Sequence, residues 1–186
     1  PVFRRVALAN AEALRATIAS RNTQTNEVGR CAYFLPVFGL VTEEVGALAH
    51  LDVGASAGLN LYWPSYSYDY KPGGPVGRGS TVELSCKTRG EPPIPTAMPT
   101  LGGAIGLDMS PIDVLDDDAV RWLEACVWPD QGGRFERLVA AIEIARKSPP
   151  DLRQGDAVRN VGGLVDEVSE FGHPVVTTSW ILNYLD

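Results

Sequence analysis

The 186-residue chain has few of the residues that build metal sites and disulfide scaffolds, with three cysteines (Cys31, Cys86, Cys126) and two histidines. An odd, widely spaced set of thiols argues against a disulfide framework or a zinc ligand set. Reduced thiols in the cytoplasm are the natural expectation, and no metal is expected. Basic residues are also short, 16 against 23 acidic ones, for a net charge of −7. No stretch is denser in base than Arg4-Arg5, so a phosphate backbone would be repelled and no nucleic acid partner is expected. No apolar run approaches the roughly 18 residues of a membrane span, so no membrane partner is expected. No internal repeat and no signal peptide are visible.

What is present is an ordinary globular composition, 45% apolar and 21% charged. That excludes disorder, collagen and coiled coil, and the length suits one domain. The chain opens on Pro1 and stops at Asp186 directly after an apolar segment, which reads as a piece of a longer protein, truncated after its fourth strand.

Nearly half of the glycines and prolines fall between Pro64 and Pro111. They separate a helical front from an alternating helix–strand back. The expected front, residues 1–46, has a helix from Phe3 to Ser20 with Leu14 and Ile18 on one face. It continues with an apolar segment interrupted at Pro36 and a helix over Val41–Ala49. Residues 47–186 form the sheet domain, with an insertion over about 64–102. Its first strand, Ala47–Val53, runs into the small-residue turn Gly54–Gly58, which opens a helix. Tyr66–Tyr70 and Thr81–Cys86 pair as a β-hairpin-like insertion, with the alternating tyrosines paving one face. Strands at Gly103–Asp108, Leu152–Gln154 and Val175–Thr178 alternate with helices at Asp116–Val127 and Gly133–Arg146. A further helix carries Val158, Val161, Leu164, Val165 and Val168 on one face. This alternation predicts an α/β fold, a doubly wound, mostly parallel sheet whose strand ends line one edge.

Four strand ends carry small or acidic residues: Asp52 with Gly54, Ser56 and Gly58; Asp108; Asp156; and Thr177-Thr178-Ser179-Trp180. In that order they resemble the successive motifs of the Rossmann-like, class I S-adenosylmethionine-dependent methyltransferases. Leu51–Gly58 is similar to their first motif, an acid followed by a glycine-rich turn. The resemblance implies S-adenosylmethionine as cofactor. Its methionine end would lie near Gly54, Ser56 and Gly58, its ammonium on Asp52, its ribose on Asp108 and its adenine on Asp156. Thr23–Cys31, Gly54–Leu61, Gly106–Val114 and Val127–Gln131 together resemble a bacterial family catalogued as a domain of unknown function. A methyltransferase acting on a small-molecule substrate is the reading. Substrate contacts would come from Asn26, Glu27, Arg30, Thr178, Ser179 and Trp180, with no catalytic base assigned.

Other readings stand beside it. Ser56 replaces the commoner second glycine, and Thr178-Ser179-Trp180 replaces the Asn/Asp-Pro-Pro-aromatic signature of amino-group methylation. Both fit a non-catalytic nucleoside-binding or assembly module with the same fold. Gly54–Gly58 also satisfies the G-x-S-x-G pattern of a serine hydrolase, with Ser56, Asp108 or Asp156, and His173 in triad order. Against that, His173 falls before a strand, at the end opposite the turn. Structural roles are open too. Asp52 could cap a helix near Ala55, Asp108 could be a turn residue, and His50 could be a core histidine. Asp116-Asp117-Asp118 reads as a helix start.

Overall fold

The computed structural model describes residues 2–179. Along the chain come helices α1 (Val2–Ala9), α2 (Ala11–Ser20) and α3 (Cys31–Val45) and strand β1 (Leu48–Val53). Strands β2 (Ser67–Lys71), β3 (Gly74–Val76) and β4 (Glu83–Lys87) follow. Next are β5 (Leu101–Asp108), α4 (Asp117–Ala125), α5 (Gly132–Lys147), β6 (Leu152–Gln154), α6 (Ala157–Ser169) and β7 (His173–Thr178). The fold is mixed α/β: a parallel four-stranded sheet ordered β6-β5-β1-β7 and a small sheet ordered β3-β2-β4. From β1 the chain steps to one side for β5 and β6, then returns to the other side for β7. The strand order therefore reverses at β1, whose C-terminal end is where open α/β sheets commonly bind ligands.

All six residues of β1 are buried. Alternation sends Ala49, Leu51 and Val53 toward α6, where they pack with Ile105, Leu107 and Val168. Leu48 faces the opposite layer, with Leu35, Phe38 and Trp63. Each fully buried leucine contributes about 1.5–3 kcal/mol. His50 and Asp52 share the period of Leu48, so two polar groups lie inside an apolar layer, 0% and 2% exposed.

Several elements differ from the sequence expectation. The front helix breaks at Asn10, whose side chain bonds the Val6 carbonyl (2.9 Å), and Leu14 and Ile18 are exposed. Instead of a helix over Val41–Ala49, α3 runs straight through Pro36. Proline has no N–H to give the carbonyl four residues back. That carbonyl, on Ala32, instead accepts the Tyr70 hydroxyl at 2.8 Å. The Gly54–Gly58 turn leads into a 3-10 segment, Leu59–Ser65, rather than directly into a helix. The insertion is not one hairpin of Tyr66–Tyr70 with Thr81–Cys86. β2 forms its hairpin with β3, and β4 returns to the other side of β2 in parallel, Tyr68 opposite Leu84. Tyr66, Tyr68 and Tyr70 do share one buried face; Tyr66 and Tyr68 donate to the Leu59 and Trp63 carbonyls at 2.6 and 2.7 Å. In α6, Val158 is 79% exposed and stands apart from the packed face of Val161, Leu164, Val165 and Val168.

Candidate functional site

One residue before the C-terminal end of β1, Asp52 lies directly opposite Thr177 of β7. The Thr177 hydroxyl donates to Asp52 Oδ1 at 2.7 Å, and Thr177 Oγ1 lies 2.7 Å from His50 Nε2. Asp52 Oδ2 is buried without a hydrogen-bond partner among the described residues. Burial pushes the Asp52 carboxyl up to about 6, against the opposing pull of Thr177, the neighbouring Asn60 amide and Arg30. Burial pushes His50 down to about 4, so its ring is neutral at physiological pH. Asp52 does not cap a helix. The first N–H of the 3-10 segment, on Leu59, is taken by Asn26 Oδ1 at 3.0 Å.

The turn that follows is closed by backbone geometry. Gly54, Ser56 and Gly58 have φ of 81°, 55° and 69°, a left-handed region that glycine enters freely and serine enters at a cost of about 1–2 kcal/mol. The Gly54 and Ala55 N–H groups donate to the Leu107 carbonyl at 2.8 and 3.1 Å. A Cβ on Gly58 would meet Pro150 and Leu152 at 3.0 Å, so its smallness serves packing against β6. Ser56 is 4% exposed, and its hydroxyl donates to Gln24 Oε1 at 3.3 Å. Gly54 is the part-exposed residue of the five.

Asp108, ending β5, accepts the Ser56 N–H at 2.8 Å on Oδ2 and the Ser110 N–H at 2.9 Å on Oδ1. It thus clamps the β1 turn to the β5 turn and remains half-buried. Met109 next to it is 70% exposed. Asp156 caps α6 by accepting the Arg159 N–H at 2.9 Å. The three acids share the C-terminal edge of the sheet.

Residues 21–30 lie across this edge as a polar strap. Arg21 pairs with Asp118, the Asn22 carbonyl accepts Trp122 Nε1 at 2.9 Å, and Gln24 donates to the Ser110 carbonyl at 2.8 Å. Asp116, as expected, starts α4 by accepting from the Asp118 and Ala119 N–H groups. Glu27 is held by Arg134 at 2.5 Å and Arg137 at 3.6 Å. Arg30, half-buried, donates to Ser179 Oγ at 2.5 Å. An open groove of about 450 Å³ lies elsewhere, on the small sheet around Asp69, Arg78 and Glu83, and none of Asp52, Asp108 and Asp156 lines it.

A family profile described as "Uncharacterized protein conserved in bacteria (DUF2332)" matches residues 1–186. The chain belongs to that family. No curated protein and no solved structure matches it.

In this DUF2332 chain the structure brings Asp52, the Gly54–Gly58 turn and Asp108 together, with Asn26, Arg30 and Ser179 on the same edge. Thr178 stands opposite Val53 and is exposed. Trp180 lies outside the described residues. Glu27 is committed to two arginines of α5, and Asp156 to its helix. The triad residues named for a hydrolase do not meet. His173 pairs with Leu48 at the far end of the sheet, and His50 Nε2 is engaged by Thr177. Thr177 lies at a strand end that the sequence singles out, but nothing there names its partner; Gln24 and Asn60 have no role of their own in the sequence reading, and His50 is only a core residue in it. The usable signal was His50 and Asp52 two apart on one strand, hence on one face. Among the described residues no helix is long and apolar enough to cross a membrane, and no cluster of three or more metal-ligating side chains is present.

Proposed function

We propose that this chain binds S-adenosylmethionine at the C-terminal edge of its parallel sheet, as a Rossmann-like domain of the class I methyltransferase type, and transfers the methyl group to a small-molecule acceptor. The observation that carries the reading is Asp52, a 2% exposed carboxylate with an oxygen unpartnered among the described residues, near the end of the strand at which the strand order reverses. Keeping a carboxylate there costs stability at neutral pH, and such costs concentrate at ligand sites. The strand order, third-second-first-fourth, is that of the nucleotide-binding α/β sheets.

The residues fit this cofactor. Asp52 Oδ2 would receive the ammonium, and part-exposed Gly54 would lie along the methionine chain. Each Asp108 oxygen accepts one N–H and retains a lone pair for a ribose hydroxyl. Exposed Met109 offers the adenine an apolar surface, with Asp156 beyond it. Ser56 and Gly58 support the turn from behind. Bound there, the sulfonium supplies an activated methyl group. The chain's own residues then act by orientation and by excluding water around a buried charge. The acceptor would approach past Arg30 and Ser179.

Titration calorimetry with S-adenosylmethionine and S-adenosylhomocysteine tests this. Binding that weakens about tenfold to a hundredfold in Asp52→Asn is expected, the loss of a charge-assisted contact of about 1.5–3 kcal/mol. No binding by the wild type would overturn the reading. The covered turn, with Gln24 over Ser56, favours a second reading, a non-catalytic nucleoside-binding module. Tight cofactor binding without methyl transfer to any acceptor in a bacterial metabolite extract would select it.

A further inference from the structure

Two polar side chains that the proposed reading does not use, Thr177 and His50, join Asp52 in a buried chain between β1 and β7. An ionised Asp52 can only accept, so Thr177 spends its single proton on Oδ1 (2.7 Å). The Thr177 oxygen must then accept from His50 Nε2–H (2.7 Å). His50 is fixed in turn by the edge of the Phe38 ring, 5.3 Å between centroids at 63°. All three residues are 9% exposed or less. The direction of the chain, from His50 through Thr177 to Asp52, is set by proton supply alone.

We propose that Thr177 and His50 are positioning residues: together they hold Oδ1 of Asp52, which leaves the buried Oδ2, beside Asn60, as an ionised acceptor for a cationic group of the ligand. The inference rests on the proposed site and extends it to pH. Protonating Asp52 removes the charge and lets the chain reverse, Asp52 donating to Thr177 and Thr177 to His50. Ligand affinity should therefore fall as pH drops through the Asp52 titration. The groups facing Asp52 are Thr177 of β7, Asn60 of the 3-10 segment, Arg30, Asp108 of β5 and Cys31 of α3. Burial and the Asp52 charge push the Cys31 thiol up, so it stays neutral over this range.

The test is a carbon-13 NMR titration of the Asp52 carboxyl in the ligand-free chain, its signal assigned by its loss in Asp52→Asn. The wild-type midpoint is expected near 6. Thr177→Val, which keeps the shape and loses the donor, should move it upward by about one pH unit. Thr177→Ser, which keeps the hydroxyl, should leave it in place. An unmoved midpoint in Thr177→Val, or equal shifts in the valine and serine variants, would overturn the proposal. Should Thr177→Val fail to fold, His50→Leu reports the same chain. A smaller upward shift supports the proposal, and no shift overturns it. Because this readout needs no ligand, failure of the cofactor reading leaves it intact. Calorimetry of wild type at pH 5 and pH 8 adds the binding arm. S-adenosylhomocysteine affinity should be about tenfold weaker at pH 5, and equal affinities would overturn the pH link.

Discussion

Replacing His50 by Gln should turn a nearly pH-independent term in stability into a steep one. In the folded chain Asp52 titrates near 6 rather than 3.8, and His50 near 4 rather than 6.5. Between pH 4 and 6 the unfolded chain therefore holds Asp52 ionised and His50 protonated. The folded chain holds Asp52 protonated and His50 neutral. Both states bind one proton at this pair, so the pair contributes no slope to stability. Each group alone would contribute a steep one. The raised Asp52 stabilises the fold below 3.8, and that stability, about 3 kcal/mol, is lost as pH rises through 6. The depressed His50 works in the other direction. Its contribution, again about 3 kcal/mol, is present above 6.5 and lost as pH falls toward 4. His50→Gln keeps an N–H for Thr177 and removes only the titration. Urea unfolding from pH 4 to 7 should show the variant's stability falling by up to about 3 kcal/mol relative to wild type as pH rises from 4 to 6. Asp52→Asn should show the mirror image, gaining by about the same amount. A wild-type-minus-variant difference that is flat with pH in both cases would refute the reasoning.

Other substitutions test single links. Tyr70→Phe strips the Ala32 carbonyl of the donor that stands in for the missing Pro36 N–H, and should cost about 1–3 kcal/mol in chemical denaturation because that carbonyl is left buried and unpaired. Gly106→Ala would place a Cβ 2.5 Å from Leu152 and 2.8 Å from Ala55; a loss of about 1–3 kcal/mol is expected, and a neutral result would show that β6 yields easily. Ser56→Ala should leave S-adenosylmethionine affinity within about twofold, since the hydroxyl is turned to Gln24. Loss of an ester-cleaving activity in that variant would instead revive the hydrolase reading.

The parallel strands and their helices were legible because each apolar run is bounded by acids, glycine or proline. Asp116 announced α4 by its position, and the Asp52–Gly58 stretch announced a strand turning tightly. What was not legible depended on partners distant in sequence. Pro36 looked like a break because nothing local says that Tyr70 will satisfy the freed carbonyl. The insertion looked like a hairpin because alternating strands carry no mark of direction. Only the placement of β3 between them in the chain makes β4 parallel to β2. For Asp108 the sequence offers a ligand group or a local turn residue, not a clamp between two turns. Its two bonds to the Ser56 and Ser110 N–H groups appear only once the turns after β1 and β5 are side by side.

The clamp made by Asp108 bears on how the site is built. In the proposed reading this clamp would also meet the ligand, which couples the shape of the glycine turn to occupancy of the edge. A ligand hydroxyl on Asp108 would share a carboxylate oxygen with the Ser56 or Ser110 N–H, each on its own lone pair, and Ser56 already sits at a φ of 55°. Asp52 differs, because its Oδ1 is secured from a separate strand by Thr177 and its Oδ2 carries no structural duty among the described residues. Removing Asp108 should therefore disturb turn and binding together, whereas removing the Asp52 charge should relieve the fold while weakening binding. Stability and affinity moving in opposite directions at one residue, and in the same direction at the other, separates a ligand group from a clamp.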